Sequence, residues 1–119
     1  MRHPVIASLA TAISAAFLFA AANTPKPDEA AYRNTVTPLI QKTCVACHND
    51  RNQSGGVNLT SFTSAASIHE QREGWEKVLQ KIESGEMPPK GLPRPSAGQI
   101  AATNKLIAAE WEKADKLVK

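Results

Sequence analysis

Apolar residues recur at helical spacing in three stretches of this chain. Tyr32, Val36, Leu39 and Ile40 form one stripe, Trp75, Val78, Leu79 and Ile82 a second, and Ile100, Ile107, Trp111, Ala114 and Val118 a third. Side chains three and four apart share a helix face, so each stripe predicts an amphipathic helix. Asp28 stands in the capping position before the first helix, which is expected to end near Lys42. Pro38 withholds a backbone donor and biases Thr37 away from helix, predicting a kink or two short helical pieces. Ser67 with Glu70 fits a capping box for the second helix, with Gly85 to close it, and Ser96 with Gln99 fits another for the third. Asn49 to Ser67 lacks a sustained period and contains Gly55-Gly56, which reads as a compact loop that Leu59 and Phe62 pin to the core. Met87 to Pro95 contains Pro88, Pro89, Pro93 and Pro95 and is expected to be a stiff loop, neither helix nor central strand. There is no repeat and no strand pattern, and the apolar stripes allow an all-α fold.

The N-terminus has a different pattern. Arg2 and His3 precede an apolar run from Val5 to Phe19 that ends in Ala20-Ala21-Ala22, the layout of a signal peptide over residues 1–22. Export follows, to the periplasm or an equivalent compartment. Residues 23–27, with Pro25 and Pro27, read as a flexible leader. An uncleaved membrane anchor is the competing reading, because Val5 to Ala22 just reaches bilayer-spanning length. Its alanines, Ser8, Thr11 and Ser14 weaken the hydrophobicity and favour removal.

Composition tightens the picture. A chain of 119 residues with 5% aromatics is one small domain, and beyond position 22 its only aromatics are Tyr32, Phe62, Trp75 and Trp111. So few large side chains make a thin core, and something besides side chains is expected to fill the middle. Two cysteines and six glycines exclude a disulfide scaffold and a collagen, and the length excludes a multidomain enzyme. The net charge of +3 is spread among acids in Glu73 to Lys81 and Glu110 to Lys119. Those runs read as solvated helix faces, and no nucleic-acid surface is expected.

Cys44-Val45-Ala46-Cys47-His48 carries the strongest chemical signal, because Cys-x-x-Cys-His is the c-type haem attachment pattern. Two cysteines three apart on one helical turn can each form a thioether to a vinyl group of haem, and His48 is then held under the iron as proximal ligand. A redox dithiol also uses Cys-x-x-Cys, but its usual setting is a βαβ pattern. A structural disulfide remains open, and a zinc site would need further ligands that the sequence does not offer. The adjacent histidine and the missing strands favour haem. For the sixth position the chain offers Met87, His69 or a lysine. Met87 opens the proline loop and lies far enough from His48 for the chain to pass around the haem edge. Its alternative role is core filling. His69, beside Glu70, needs no special role, and Lys42 and Lys90 flank the haem-binding segments, where they either ring the haem edge or are plain solvated lysines.

These features together resemble a small class I cytochrome c, and more closely the planctomycete-type cytochrome c domain. The likeness runs through Val36-Thr37-Pro38-Leu39, Cys44 to Asp50, Gly55-Gly56-Val57-Asn58-Leu59, Trp75-Glu76-Lys77-Val78, Met87-Pro88-Pro89, Pro93-Arg94-Pro95 and the helix with Trp111. It implies a monohaem domain over residues 28–119, with three to four helices around one covalent haem c and with His48 and Met87 as axial ligands. It also implies that the first and last helices cross near the haem, Tyr32 or Val36 meeting Ile107 or Trp111. The expected function is single-electron transport between a donor and an acceptor protein, without enzymatic activity. The chain would be a monomer or a subunit of a larger redox complex, at the membrane only if residues 1–22 are retained. The rival is a haem-based ligand sensor or peroxidase with a labile sixth ligand.

Overall fold

The computed structural model describes residues 25–119, so the signal-peptide expectation lies outside the described residues. Four α-helices order the described residues: α1 (Glu29–Leu39), α2 (Ser67–Glu70), α3 (Arg72–Glu83) and α4 (Ala97–Leu117). Among the described residues there is no strand, only an isolated bridge between His48 and Gln53. This is a small all-α fold.

Helix α1 starts where its cap predicts, with Asp28 Oδ1 accepting the Ala31 N–H at 2.9 Å. Pro38 does not split it. The distortion begins two residues later, where Ile40–Cys44 widens into a π-helical turn closed by the Val45 N–H on the Ile40 carbonyl at 3.1 Å. All four residues of the first stripe are buried, and Tyr32 and Val36 share one core with Ile107 of α4, against which Trp111 packs. The α1–α4 meeting is therefore as expected.

The second helix differs from its sequence reading. Ser67 caps nothing: it begins the single turn of α2 as a buried residue, and a break at Gln71 (φ −126°, ψ 41°) separates α2 from α3. Its hydroxyl is used inside the core. The Trp75 indole N–H donates to Ser67 Oγ at 2.9 Å, Ser67 Oγ lies 3.3 Å from the Tyr32 hydroxyl, and that hydroxyl donates to the Phe62 carbonyl. Read in that direction, one relay satisfies three buried polar groups that would otherwise each cost about 1–3 kcal/mol. Trp75 sits edge-on to Tyr32 at 6.4 Å and against Phe62 at 5.1 Å, an aromatic cluster in the range that adds to simple burial.

Gly74 permits that cluster. A Cβ there would come within 2.8 Å of Phe62 Cζ, so only glycine allows α3 to approach so closely. Gly85 closes α3 at φ +79°, the left-handed position that glycine favours. Helix α4 begins with Ser96 Oγ accepting the Gln99 N–H at 3.1 Å. Its buried positions include Thr103 and Glu110 beside Ile107, whereas Val118, expected on the apolar face, is 88% exposed. The packed part of α4 ends around Trp111, whose indole donates to the Ile68 carbonyl at 2.9 Å. Beyond it the Arg72 guanidinium stacks 4.9 Å from the Trp111 ring and pairs with Asp115 at 2.6 Å.

Candidate functional site

The π-helical turn that follows α1 ends at Cys44. The Cys47 and His48 N–H groups both bond to the Cys44 carbonyl, at 3.2 and 3.1 Å, so the motif is a single turn that turns both thiols and the imidazole toward one side. Cys44 is half-buried, Cys47 is exposed, and neither is in a disulfide. Burial pushes the Cys44 thiol up to about 11, which leaves it protonated at neutral pH. An activated redox dithiol needs the opposite shift. Among the described residues no three His, Cys, Asp or Glu side chains come together to hold a metal ion, so the zinc alternative lacks its ligand set.

The polar loop after the motif orients His48. His48 Nδ1 lies 3.2 Å from the Val57 carbonyl, and a neutral ring that donates there keeps its lone pair on Nε2. The Leu59 N–H bonds to the His48 carbonyl at 2.9 Å. Asn49 ties the loop internally: its Oδ1 accepts the Arg51 and Asn52 N–H groups, each at 2.9 Å, and its Nδ2 donates to the Val45 carbonyl at 2.6 Å. Asn58 Nδ2 adds a bond to Asp50 at 2.8 Å. The Asn, Ser and Gly content that breaks helical periodicity is thus the bonding material of a wrap around the histidine.

Cys44, Cys47 and His48 border a cavity of about 700 Å³. Leu59 and Phe62 contribute to its inner wall, and Met87, Pro88 and Leu92 line it from the proline loop. Met87 is 38% exposed and stands outside the buried core, so its side chain lines the cavity and does not fill the interior. Its N–H bonds to the Lys81 carbonyl at 3.0 Å, which fixes the start of the loop against the end of α3. The cavity has the size of a cofactor site and joins two thiols, an imidazole and a thioether to apolar walls. A flat, largely apolar macrocycle with vinyl groups and a central iron matches that donor set.

His69 is elsewhere. It borders a separate hollow of about 220 Å³ with Pro25, Pro27 and Glu70, and its Nε2 lies 3.9 Å from Glu110 Oε2 at the α2–α4 contact. Lys42 and Lys90 are exposed and do not line the large cavity, whereas Lys77 and Lys81 do. The sequence reading assigned those two to a solvated face. Their signal was the interleaved spacing on α3: Trp75 is buried in the core, Val78 and Ile82 touch both the core and the cavity, and Gly74, Lys77 and Lys81 line the cavity. The Val57 carbonyl was also missed, because a backbone acceptor leaves no trace in residue type.

Residues 44–91 match the family model described as Planctomycete cytochrome C. The matched segment runs from Cys44 to Gly91, from the first thiol through the Met87 loop, and the resemblance to a planctomycete-type cytochrome c domain is shown for it. No curated protein and no solved structure matches the chain.

Proposed function

We propose that this chain is an exported monohaem c-type cytochrome that passes single electrons between redox protein partners and is not an enzyme. The observation that supports this reading is the convergence of Cys44, Cys47, His48 and Met87 on one apolar cavity. Haem c bound there supplies a reversible one-electron iron couple. Cys44 and Cys47 would hold the group as thioethers, each S–H adding across a vinyl group so that the sulfur bonds one carbon and the hydrogen goes to its neighbour. His48, oriented by the Val57 carbonyl on Nδ1, would offer its Nε2 lone pair to the iron. Met87, on the cavity wall, would supply a thioether to the iron, a ligand type that raises the reduction potential. Leu59 and Phe62 keep water from the inner side, and exposed Val57 and Leu92 flank the mouth. One electron enters from a donor and one leaves to an acceptor, with no bond made or broken. Lys42 and Lys90 attract an acidic partner weakly, so docking weakens as salt rises.

Oxidised and reduced visible spectra, carbon monoxide binding and peroxide turnover of the purified protein test this reading. The expected result is fast reversible reduction, no peroxide turnover and a closed iron that Met87→Ala opens, with a lowered potential, while His69→Ala changes little. Rapid peroxide turnover with Met87 intact overturns the carrier reading in favour of a peroxidase. Intact mass tests export: processing near Asn23 is expected, and a membrane-extracted product that retains Val5 to Phe19 overturns cleavage.

A further inference from the structure

The loop that carries Met87 is poor in backbone donors. Pro88, Pro89, Pro93 and Pro95 have no N–H, and the backbone bonds of the segment reduce to Met87 N–H on Lys81 and Leu92 N–H on the Pro89 carbonyl at 3.1 Å. The exposed Met87 side chain gains little from packing. A loop without a ladder, whose one buried residue is Pro88, needs a further restraint if the sulfur of Met87 is to stay in one place.

We propose that Arg94 is a positioning residue for Met87, clamping the loop to the C-terminal end of α3; its consequence at the iron rests on the axial role proposed for Met87. Arg94 Nη1 donates to the Pro88 carbonyl at 3.3 Å and to the Gly85 carbonyl at 3.5 Å, and Nη2 donates to the Ile82 carbonyl at 3.3 Å. These acceptors lie on both sides of Met87: Ile82 and Gly85 belong to the close of α3, and Pro88 follows the methionine directly. The Ile82 carbonyl already accepts the Gly85 N–H at 3.2 Å and takes Arg94 on its second lone pair, and the negative end of the helix dipole favours a cation there. Each contact is long and individually weak, but one planar guanidinium reaches all three, which a lysine ammonium on a flexible stem does not reproduce. Pro93 and Pro95 fix the backbone on either side of Arg94 and limit the freedom it loses on binding. Lys81 reinforces the same joint by pairing with Glu86, one residue before Met87.

The test compares Arg94→Gln and Arg94→Lys with the unaltered haem-loaded protein. Hydrogen exchange at the Met87 amide reads the clamp directly, and exchange at the Leu59 amide, beside His48, is the internal control. In Arg94→Gln, Met87 exchange is expected to rise about tenfold while Leu59 is unchanged, with Arg94→Lys intermediate. The far-red charge-transfer band of methionine-ligated ferric haem should be lost at lower pH, and carbon monoxide should bind the ferrous protein faster. Unchanged Met87 exchange in Arg94→Gln overturns the clamp, as does an equal rise at Leu59, which would mean general loosening. An unaltered protein without the charge-transfer band defeats the axial role of Met87, and the amide comparison still decides the clamp.

Discussion

The two sides of Phe62 are built on different principles. On one side Tyr32, Ser67, Trp75 and Ile107 are almost completely excluded from solvent, and the hydroxyls and the indole N–H satisfy one another in a relay. On the other side the cavity is bordered by exposed Cys47, Val57, Met87 and Leu92, held by backbone bonds and by polar loop side chains. The first region is complete with protein atoms alone. The second has walls whose apolar groups gain their partners only when a cofactor lies between them, which is how a small chain with four aromatics beyond its leader supports a core at all.

The largest expected effect removes the cofactor's anchors. Cys44→Ala with Cys47→Ala should abolish covalent haem, measured as haem released into acidified organic solvent, and hydrogen exchange should show protection lost across 44–63 and 85–95 before the α1–α4 contact. Equal loss in both regions would erase the division. Next in size, Trp75→Ala strikes the satisfied side. It should cost about 3–5 kcal/mol in denaturant unfolding of the haem-loaded protein and leave the haem spectrum of the folded state unchanged. A spectral change would mean that the cluster also sets the cavity.

The smallest effect concerns pH. Burial, with a lesser contribution from Glu29, outweighs the Ser67 hydrogen bond and pushes the Tyr32 phenol up to about 12 from an ordinary value near 10. Between those values the unfolded chain has released a proton that the folded chain retains, so stability falls as pH rises through this window. Below pH 10 the contribution is fully present. Tyr32→Phe should therefore flatten the alkaline fall in the denaturant midpoint, and a phenol titrating at its ordinary value would contradict the burial.

Much of this was legible because it is local. The haem motif is a spacing, the three apolar stripes are periodicities, and the Asp28 and Ser96 caps are residue types that bond a backbone three positions on. The proline loop was equally clear, since a missing N–H is a covalent fact. Ser67 was misread for the same reason: its spacing to Glu70 fits a cap, but the hydroxyl is drawn inward by Tyr32 and Trp75, which lie 35 and 8 positions away.

The sequence by itself determined the helices, the attachment motif and the candidate ligands, because short-range spacing and backbone chemistry act within a few residues. Only the tertiary structure decided which candidates meet. It brought Met87 to the cavity of His48 and left His69 against Glu110. It turned Lys77 and Lys81 toward the cavity, set Gly74 against Phe62, and ran Arg94 back to the end of α3. Those pairings depend on how the faces of separate helices pack, and packing is a property of the whole chain that no local spacing encodes.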